Sequence, residues 1–289
     1  MTDAPAAMLG TTVIGGRPFS WGERTYVMGI LNATPDSFSG DGLVRVGRSD
    51  AIAAALELAA QMAGEGADLL DIGGESTRPG HAAVDEAEEL RRVVPIVAAV
   101  HAAHPDLPIS VDTTKPAVAA AALDAGAAMI NDVWGVAEDD ALARLAAKRE
   151  APIVLMHNRV EPIYEDLMTE IVADLQRAID RALRAGCRRD ALIVDPGFGF
   201  GKTPEHNLVL LRELDRLRVL GRPILLGASR KSTLGRILDL PPEDRLEATL
   251  VTTALGIAAG VDIVRVHDVE GNVRAARTAD AIVRGGKLS

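Results

Sequence analysis

Short apolar runs rich in Val, Ile and Leu alternate along this chain with Ala/Leu/Glu/Arg stretches of helical periodicity. The apolar runs are TYVMGILN (25–32), DLLDIG (68–73), PISVDTT (108–114), AMINDV (128–133), PIVLMH (152–157), ALIVDPG (191–197), RPILLGAS (222–229) and DIVRVHDV (262–269). Runs that are apolar on both faces predict parallel strands covered by helices. Eight such strands, each followed by a helical stretch, predict an α/β fold of the closed (β/α)8 TIM-barrel type. The alternative is an open, doubly wound sheet, but no strand here is followed by a GxGxxG fingerprint. Residues 11–24 (TTVIGGRPFSWGER) read as a β-hairpin about a Gly-Gly turn. It is expected to cap the bottom of the barrel, with Trp21 as a structural plug. The whole chain, 1–289, then forms a single domain with residues 1–24 as an N-terminal arm and hairpin. Segment 205–220 reads as one amphipathic helix. The glycine-rich stretches 33–48 and 73–82 are long for connections of this kind and read as functional loops.

Nearly every apolar run ends on a polar residue: Asn32, Asp71, Asp112, Asn131 with Asp132, His157, Asp195, Ser229 and His267. A single Asp at a strand end usually caps the next helix. In a parallel barrel, however, all of these ends emerge on one face, and barrel active sites sit there.

Composition narrows the choice. At 289 residues the chain is long enough for one barrel core. A formal charge of −10 argues against a nucleic-acid surface, so any bound anion must meet locally clustered cations. The one cysteine, Cys187, cannot form an internal disulfide, and it reads as a filler near a helix end. The N-terminal stretch lacks the basic start and apolar run of a signal peptide, and the Ala-rich stretch 51–63 carries Glu57 and Gln61, so no membrane span is expected. These features predict a cytoplasmic enzyme with small-molecule partners.

Four groups of residues carry candidate chemistry. Asp112, Asn131 and Asp195 lie on different strands and suit a flat heterocycle with an amino-pyrimidine edge, because carboxylates accept paired hydrogen bonds and Asn both donates and accepts. In GASRKS (227–232), Gly227 and Ala228 let a ligand approach the backbone. Arg230 and Lys231 are placed where the helix macrodipole disfavours cations, which a bound anion or heterocycle carbonyl would explain. In RVHDV (265–269), Arg265 and His267 share one side of the strand and face a helix start suited to phosphate. DPGFGFGKT (195–203) puts two of the four phenylalanines on a glycine-rich loop, as a cover for something flat or as a small satellite core. It lacks the full phosphate-loop spacing, so an NTPase is rejected. His81, His101 and His104 show no metal-site spacing and are expected to be solvated.

The ordered motifs MGILNATPDSFSGDG, DIGGESTRPG, SVDT, INDV, DPGFGFGKT, GASRKS and RVHDV span nearly the whole chain. Together they resemble the bacterial dihydropteroate synthase family. The resemblance implies the same barrel and the condensation of a 7,8-dihydropterin diphosphate with p-aminobenzoate, with SN1-like loss of pyrophosphate. It also implies the following roles. Asp112, Asn131, Met156, Asp195, Gly227 and Lys231 would hold the pterin. Asn32, Arg78, Arg265 and His267 would bind the diphosphate, with Asn32 also near Mg2+. Phe38, Thr77, Pro79, Phe200, Lys231 and Ser232 would frame the p-aminobenzoate, under loops 34–42 and 76–80. Lys231, Asp112, Arg265, His267 and Asp41 would be the catalytic set. A homodimer is the assembly the family suggests. One departure concerns the first loop: it reads SFSGDG where the family commonly has SFSDGG, which displaces its aspartate to Asp41. The rival readings are a methyltetrahydrofolate–corrinoid methyltransferase, which needs neither the GASRKS nor the RVHDV cations, a non-catalytic pterin-binding paralogue, and a barrel with an unrelated anionic substrate.

Overall fold

The structure, a computed structural model, describes residues 9–33, 48–75, 84–135, 137 and 139–285. The N-terminal hairpin is present as β1 (Thr11–Ile14) and β2 (Arg17–Ser20), paired antiparallel with Thr12 opposite Phe19. Its turn residues Gly15 and Gly16 both have positive φ, 57° and 79°, which the tight hairpin turn requires.

Among the described residues, eight parallel strands follow: β3 (Tyr26–Asn32), β4 (Leu69–Gly73), β5 (Ile109–Asp112), β6 (Met129–Asp132), β7 (Ile153–Met156), β8 (Leu192–Asp195), β9 (Leu225–Leu226) and β10 (Ile263–Val266). They pair in the order β8-β7-β6-β5-β4-β3-β10-β9. A parallel bridge between Val194 and Ile224 joins the two outer strands and closes the barrel. The helices between strands are α1 (Arg48–Glu65), α2 (Glu86–Ala103), α3 (Pro116–Asp124), α4 (Ala141–Arg149), α5 (Leu167–Arg184) and α6 (Pro204–Arg212). The pair α7 (Ser232–Leu238) and α8 (Leu246–Ala258) follows β9, and α9 (Val269–Val283) follows β10. No helix among the described residues is long and apolar enough to cross a membrane.

Strand alternation sorts the side chains into two compartments. One set, which includes Val27, Leu70, Ile72, Val111, Ile130, Leu155 and Val194, packs with the apolar faces of the helices in one large core. The other set, Met28, Leu69, Met129, Val154, Ile193, Leu225 and Ile263, fills the barrel interior. The hairpin seals that interior from below with Ile14, Phe19 and Trp21, which pack on Tyr26. Phe19 and Tyr26 lie 4.6 Å apart between ring centroids, and Trp21 Nε1 donates to Thr12 Oγ1 at 2.8 Å, so Trp21 is the structural plug the sequence predicts.

Two expectations need correction. Segment 205–220 is not one helix: α6 ends at Arg212, and 214–220 continues as a 3-10 helix. The reason is the spacing of Leu214, Leu217 and Leu220, all buried, because a three-residue repeat keeps one face inward only at three residues per turn. Strand β9 is also much shorter than its apolar run, with two residues in regular pairing. Beside it the carboxylate of Asp262 replaces a ladder partner, with Oδ2 accepting from Ile224 N at 3.1 Å and Oδ1 from Gly22 N at 3.2 Å. One buried side chain thus ties the seam of the barrel to the hairpin. Asp262→Ala leaves both amides without an acceptor, and we expect it to lower unfolding free energy by about 3 kcal/mol in urea titrations. A loss under about 0.5 kcal/mol would mean that the seam does not depend on this carboxylate.

Candidate active site

The barrel interior changes character one inward position above its apolar layer. Two residues along from Leu69, Met129, Val154, Ile193, Leu225 and Ile263 come Asp71, Asn131, Met156, Asp195, Gly227 and Arg265. On β5 the corresponding inward residues are Ser110 and Asp112. The same pleat that fills the barrel with apolar side chains therefore lines its mouth with five polar groups, beside Met156 and Gly227.

These groups are bonded to one another. Arg265 donates from Nε to Asp71 Oδ2 at 2.6 Å and from Nη2 to Asp112 Oδ2 at 2.9 Å. Asn131 Nδ2 donates to the same Asp71 oxygen at 2.9 Å. Burial works against the Arg265 charge, but the two carboxylates outweigh it and raise its pKa. Asp112 is pushed up to about 7, chiefly by burial and further by Asp71 and Glu89, against the pull of Arg265 and Lys231. Asp195 is pushed up to about 6 by burial, although Gly197 N donates to its Oδ1 at 2.6 Å. Asp71 Oδ1 and Asp112 Oδ1 are buried without a hydrogen-bond partner among the described residues. Such orphaned acceptors carry a desolvation cost that a ligand with paired N–H donors would remove. Gly227 leaves the space open: a Cβ there would sit 3.9 Å from both Arg265 and Asp195 Oδ2.

The rim holds cations and an aromatic ring. Lys231 precedes α7, and its Nζ stands 3.7 Å from the centroid of the Phe200 ring. Ser232, the first residue of α7, is exposed. The two loop phenylalanines divide: Phe198 is buried in the helix-facing core, and Phe200 is half-buried. His267 is oriented by Ser229, whose Oγ lies 3.0 Å from Nδ1 and accepts from the His267 amide at 3.2 Å. Asn32 ends β3, and it lines one recess with His267, Arg230 and Asp268. Arg230 itself is held by Asp268, with Nε donating to Oδ2 at 3.0 Å, which accounts for a cation at this helix start without invoking a ligand.

The structure thus brings together Asn32, Asp112, Asn131, Met156, Asp195, Gly227, Arg265, His267, Lys231, Phe200 and Ser232 at one end of the barrel. Phe38, Asp41, Thr77, Arg78 and Pro79 lie outside the described residues. In the sequence Asp71 is only one polar strand end among several, yet it is fully buried and holds both Arg265 and Asn131. Its signal was available: an acid two residues past an inward Leu falls on the inner face of the strand. His157, Lys202 and Asp174 also form a bonded cluster, with His157 Nε2 3.1 Å from Asp174 Oδ2 and Nδ1 3.0 Å from Lys202 Nζ. Spacing alone could not have found that cluster, because Asp174 comes from a helix. Cys187 is buried with its Sγ on Ala143 O at 3.2 Å, in keeping with a filler. Among the described residues no cluster of three or more His, Cys, Asp or Glu could hold a metal ion.

The chain matches the family of pterin binding enzymes over residues 28–267. It is 50% identical to the dihydropteroate synthase of Clostridium beijerinckii over 272 residues, 94% of this chain and 99% of that one. The crystal structure of dihydropteroate synthase from Clostridium difficile in the presence of pteroic acid superposes with a TM-score of 0.86 at 48% identity, covering 92% of this chain and 99% of that one. The enzyme of Xanthomonas albilineans with 4-aminobenzoic acid superposes with a TM-score of 0.87 at 43% identity, covering 94% and 97%.

The raised pKa of Asp195 makes a prediction about stability. In the fold it titrates near 6, against an ordinary value of 3.8. The folded chain therefore keeps a proton that the unfolded chain has released, and stability falls as pH rises from about 4 to about 6. Asp195→Asn removes that dependence. Its unfolding free energy relative to the wild type should grow across this window by about 2 kcal/mol, read from urea unfolding at pH 4 and pH 7. A difference that does not change with pH would show that Asp195 is not held protonated by its surroundings.

Proposed function

The chain belongs to the pterin binding enzyme family, among the dihydropteroate synthases, and from that membership we propose how its own residues divide the work. The reaction joins 6-hydroxymethyl-7,8-dihydropterin diphosphate to p-aminobenzoate and gives 7,8-dihydropteroate and pyrophosphate. The observation that carries the assignment of residues is the inner ring of Asp112, Asn131, Met156, Asp195 and Gly227 with its orphaned carboxylate oxygen.

The amino-pyrimidine edge of the pterin presents N–H donors to Asp112 and Asp195 and both kinds of group to Asn131. Met156, at the end of β7, lies beneath the ring, and Gly227 admits its edge. Binding donors to both acids favours their ionised forms and draws their pKa values down from about 7 and about 6. The bond from the methylene carbon to the diphosphate oxygen then breaks, and the electron pair leaves with pyrophosphate. The positive pterin left behind is stabilised by the two carboxylates at short range in a low-dielectric site. Arg265 and His267 receive the charge growing on the departing diphosphate, beside the N-terminus of α9.

Magnesium fits as an ion that arrives with the diphosphate. Mg2+ takes few protein ligands when phosphate oxygens and water complete its shell, and Asn32 offers a hard amide oxygen beside His267. When bound it would neutralise part of the diphosphate charge.

The amine of p-aminobenzoate is an aniline and is neutral near pH 7. Its lone pair closes on the methylene carbon, and its extra proton is released once the new C–N bond has formed, so no strong general base is required. Phe200, Lys231 and Ser232 frame this second substrate, and Lys231 also reaches toward the pterin. The loop residues Phe38, Asp41, Thr77, Arg78 and Pro79 complete the proposed set from the family pattern. We place the protein in the cytoplasm and read its assembly as a homodimer on the same family basis.

Purified protein mixed with pterin diphosphate, p-aminobenzoate and Mg2+ should release dihydropteroate and pyrophosphate only when both organic substrates are present. Pterin binding without product would identify a non-catalytic paralogue instead. Lys231→Ala should lower kcat/KM by about 100-fold or more. Arg265→Ala should weaken inhibition by pyrophosphate, and near-normal activity in either variant would remove that residue from the catalytic set.

A further inference from the structure

Lys202 and His157 take no part in the chemistry above, yet they are among the most tightly bonded side chains near the site. Lys202 Nζ lies 3.0 Å from His157 Nδ1 and donates to the carbonyl oxygens of Gly197 and Phe200, each at 3.1 Å. An ammonium has three N–H donors, and three acceptors surround this one. His157 is fully buried, and its Nε2 lies 3.1 Å from Asp174 Oδ2, an oxygen that also accepts from Arg159 Nη2 at 2.8 Å. With Lys202 donating to Nδ1, the imidazole is neutral with its proton on Nε2, directed at Asp174. Burial, followed by the neighbouring Lys202 charge, holds its pKa down at about 3, which keeps it neutral.

Lys202 is one of several side chains that set the shape of this loop, and it holds two of its carbonyls. Gly197, at φ +70°, passes so close to His157 that a Cβ would fall 1.8 Å from its carbonyl oxygen. Tyr164 Oη fixes Gly201 O at 2.7 Å, and Asn207 Oδ1 accepts from Gly199 N at 2.8 Å. The carbonyl of Phe200 itself is held by Lys202, and the ring of Phe200 is the one against Lys231 Nζ. The two lysines therefore hold the same residue from opposite ends, one by its backbone and one by its ring.

We propose that Lys202, braced through His157 by Asp174, is a positioning residue for the second substrate: its ammonium sets the glycine loop so that Phe200 and Lys231 stand ready for p-aminobenzoate. This rests on the assignment of Phe200 and Lys231 to that substrate. Losing the proton leaves Nζ with two donors for three acceptors and removes its charge, so its hold on the two loop carbonyls and His157 is weakened. The charged and titratable groups facing Lys202 are Arg159 and His157 after β7, Asp174 on α5, Asp195 on β8 and Lys231 before α7. Burial is the largest influence and brings the ammonium down to about 7, against the support of Asp195 and Asp174.

The test is a substrate-by-substrate kinetic comparison with Lys202→Met, which keeps the length of the stem and removes the charge. KM for p-aminobenzoate should rise about tenfold while KM for the pterin diphosphate stays within about twofold. In the wild type, kcat/KM for p-aminobenzoate should fall as pH rises through about 7. That descending limb should vanish in Lys202→Met, and it should move to lower pH in Asp174→Asn, which keeps an acceptor for His157 but withdraws a charge that supports the ammonium. An unchanged KM for p-aminobenzoate would overturn the proposal, as would a rise in both KM values that tracks a lowered melting temperature. If Lys202→Met does not fold, an unshifted limb in Asp174→Asn overturns it alone. Phe200→Ala separates the two levels: normal KM for p-aminobenzoate there would defeat the underlying assignment, and a raised one beside an unaffected Lys202→Met would defeat only the role of Lys202.

Discussion

One guanidinium between two carboxylates organises the mouth of this barrel. Arg265 rises from β10 and crosses the interior to Asp71 on β4 and Asp112 on β5. Taking these charges out of water is costly, and their mutual attraction offsets the cost only while the contacts are complete. Two carboxylate oxygens of this network, Asp71 Oδ1 and Asp112 Oδ1, have no partner among the described residues, so there the network lacks donors. The flat heterocycle proposed above, with its adjacent N–H groups, would supply them. The burial that raises the pKa of Asp112 to about 7 also makes each missing donor costly here.

That arrangement holds only if the barrel beneath it is rigid. The hairpin plug closes the bottom with aromatic side chains, and the interior layer above it is wholly apolar on seven of the strands. Closure depends on a short seam, where β9 contributes two residues and the carboxylate of Asp262 stands in for missing backbone pairing. Short regular pairing there has a use. The chain leaves strand geometry at Gly227 and is free to carry Ser229, Arg230 and Lys231 over the mouth, with Arg230 tied to Asp268 and Ser229 to His267. The loops after β9 and β10 are thereby joined into one wall, which holds His267 and Lys231 in fixed relation.

Candidate contact residues at the barrel mouth are the easiest to read. Asp112, Asn131 and Asp195 were recognisable because a polar residue at the end of an apolar run has few structural uses when several such ends converge. Residues that act through others were not. Asp71 looks like any strand-end acid until Arg265 and Asn131 are seen to share its oxygen. Arg230 invited a ligand and has an acid instead. Phe198 and Phe200 are two residues apart in the same glycine loop, but the first is core and only the second reaches the rim, because the loop turns through positive φ at Gly199.

The sequence by itself determined the barrel, its hairpin plug, the face that carries the chemistry and the family of reaction. Each follows from a local periodicity or an ordered motif, and the strand pleat converts position in the chain directly into direction in space. The tertiary structure alone decided which charges meet. The pairing of Arg265 with Asp71 spans 194 residues, and that of Lys202 with His157 spans 45. Ion pairs and shifted pKa values depend on distance and burial, which closure of the barrel sets and no local pattern encodes. The break of helix 205–220 into two kinds of turn was decided there too, since only the buried surface beneath it prefers a leucine every third residue.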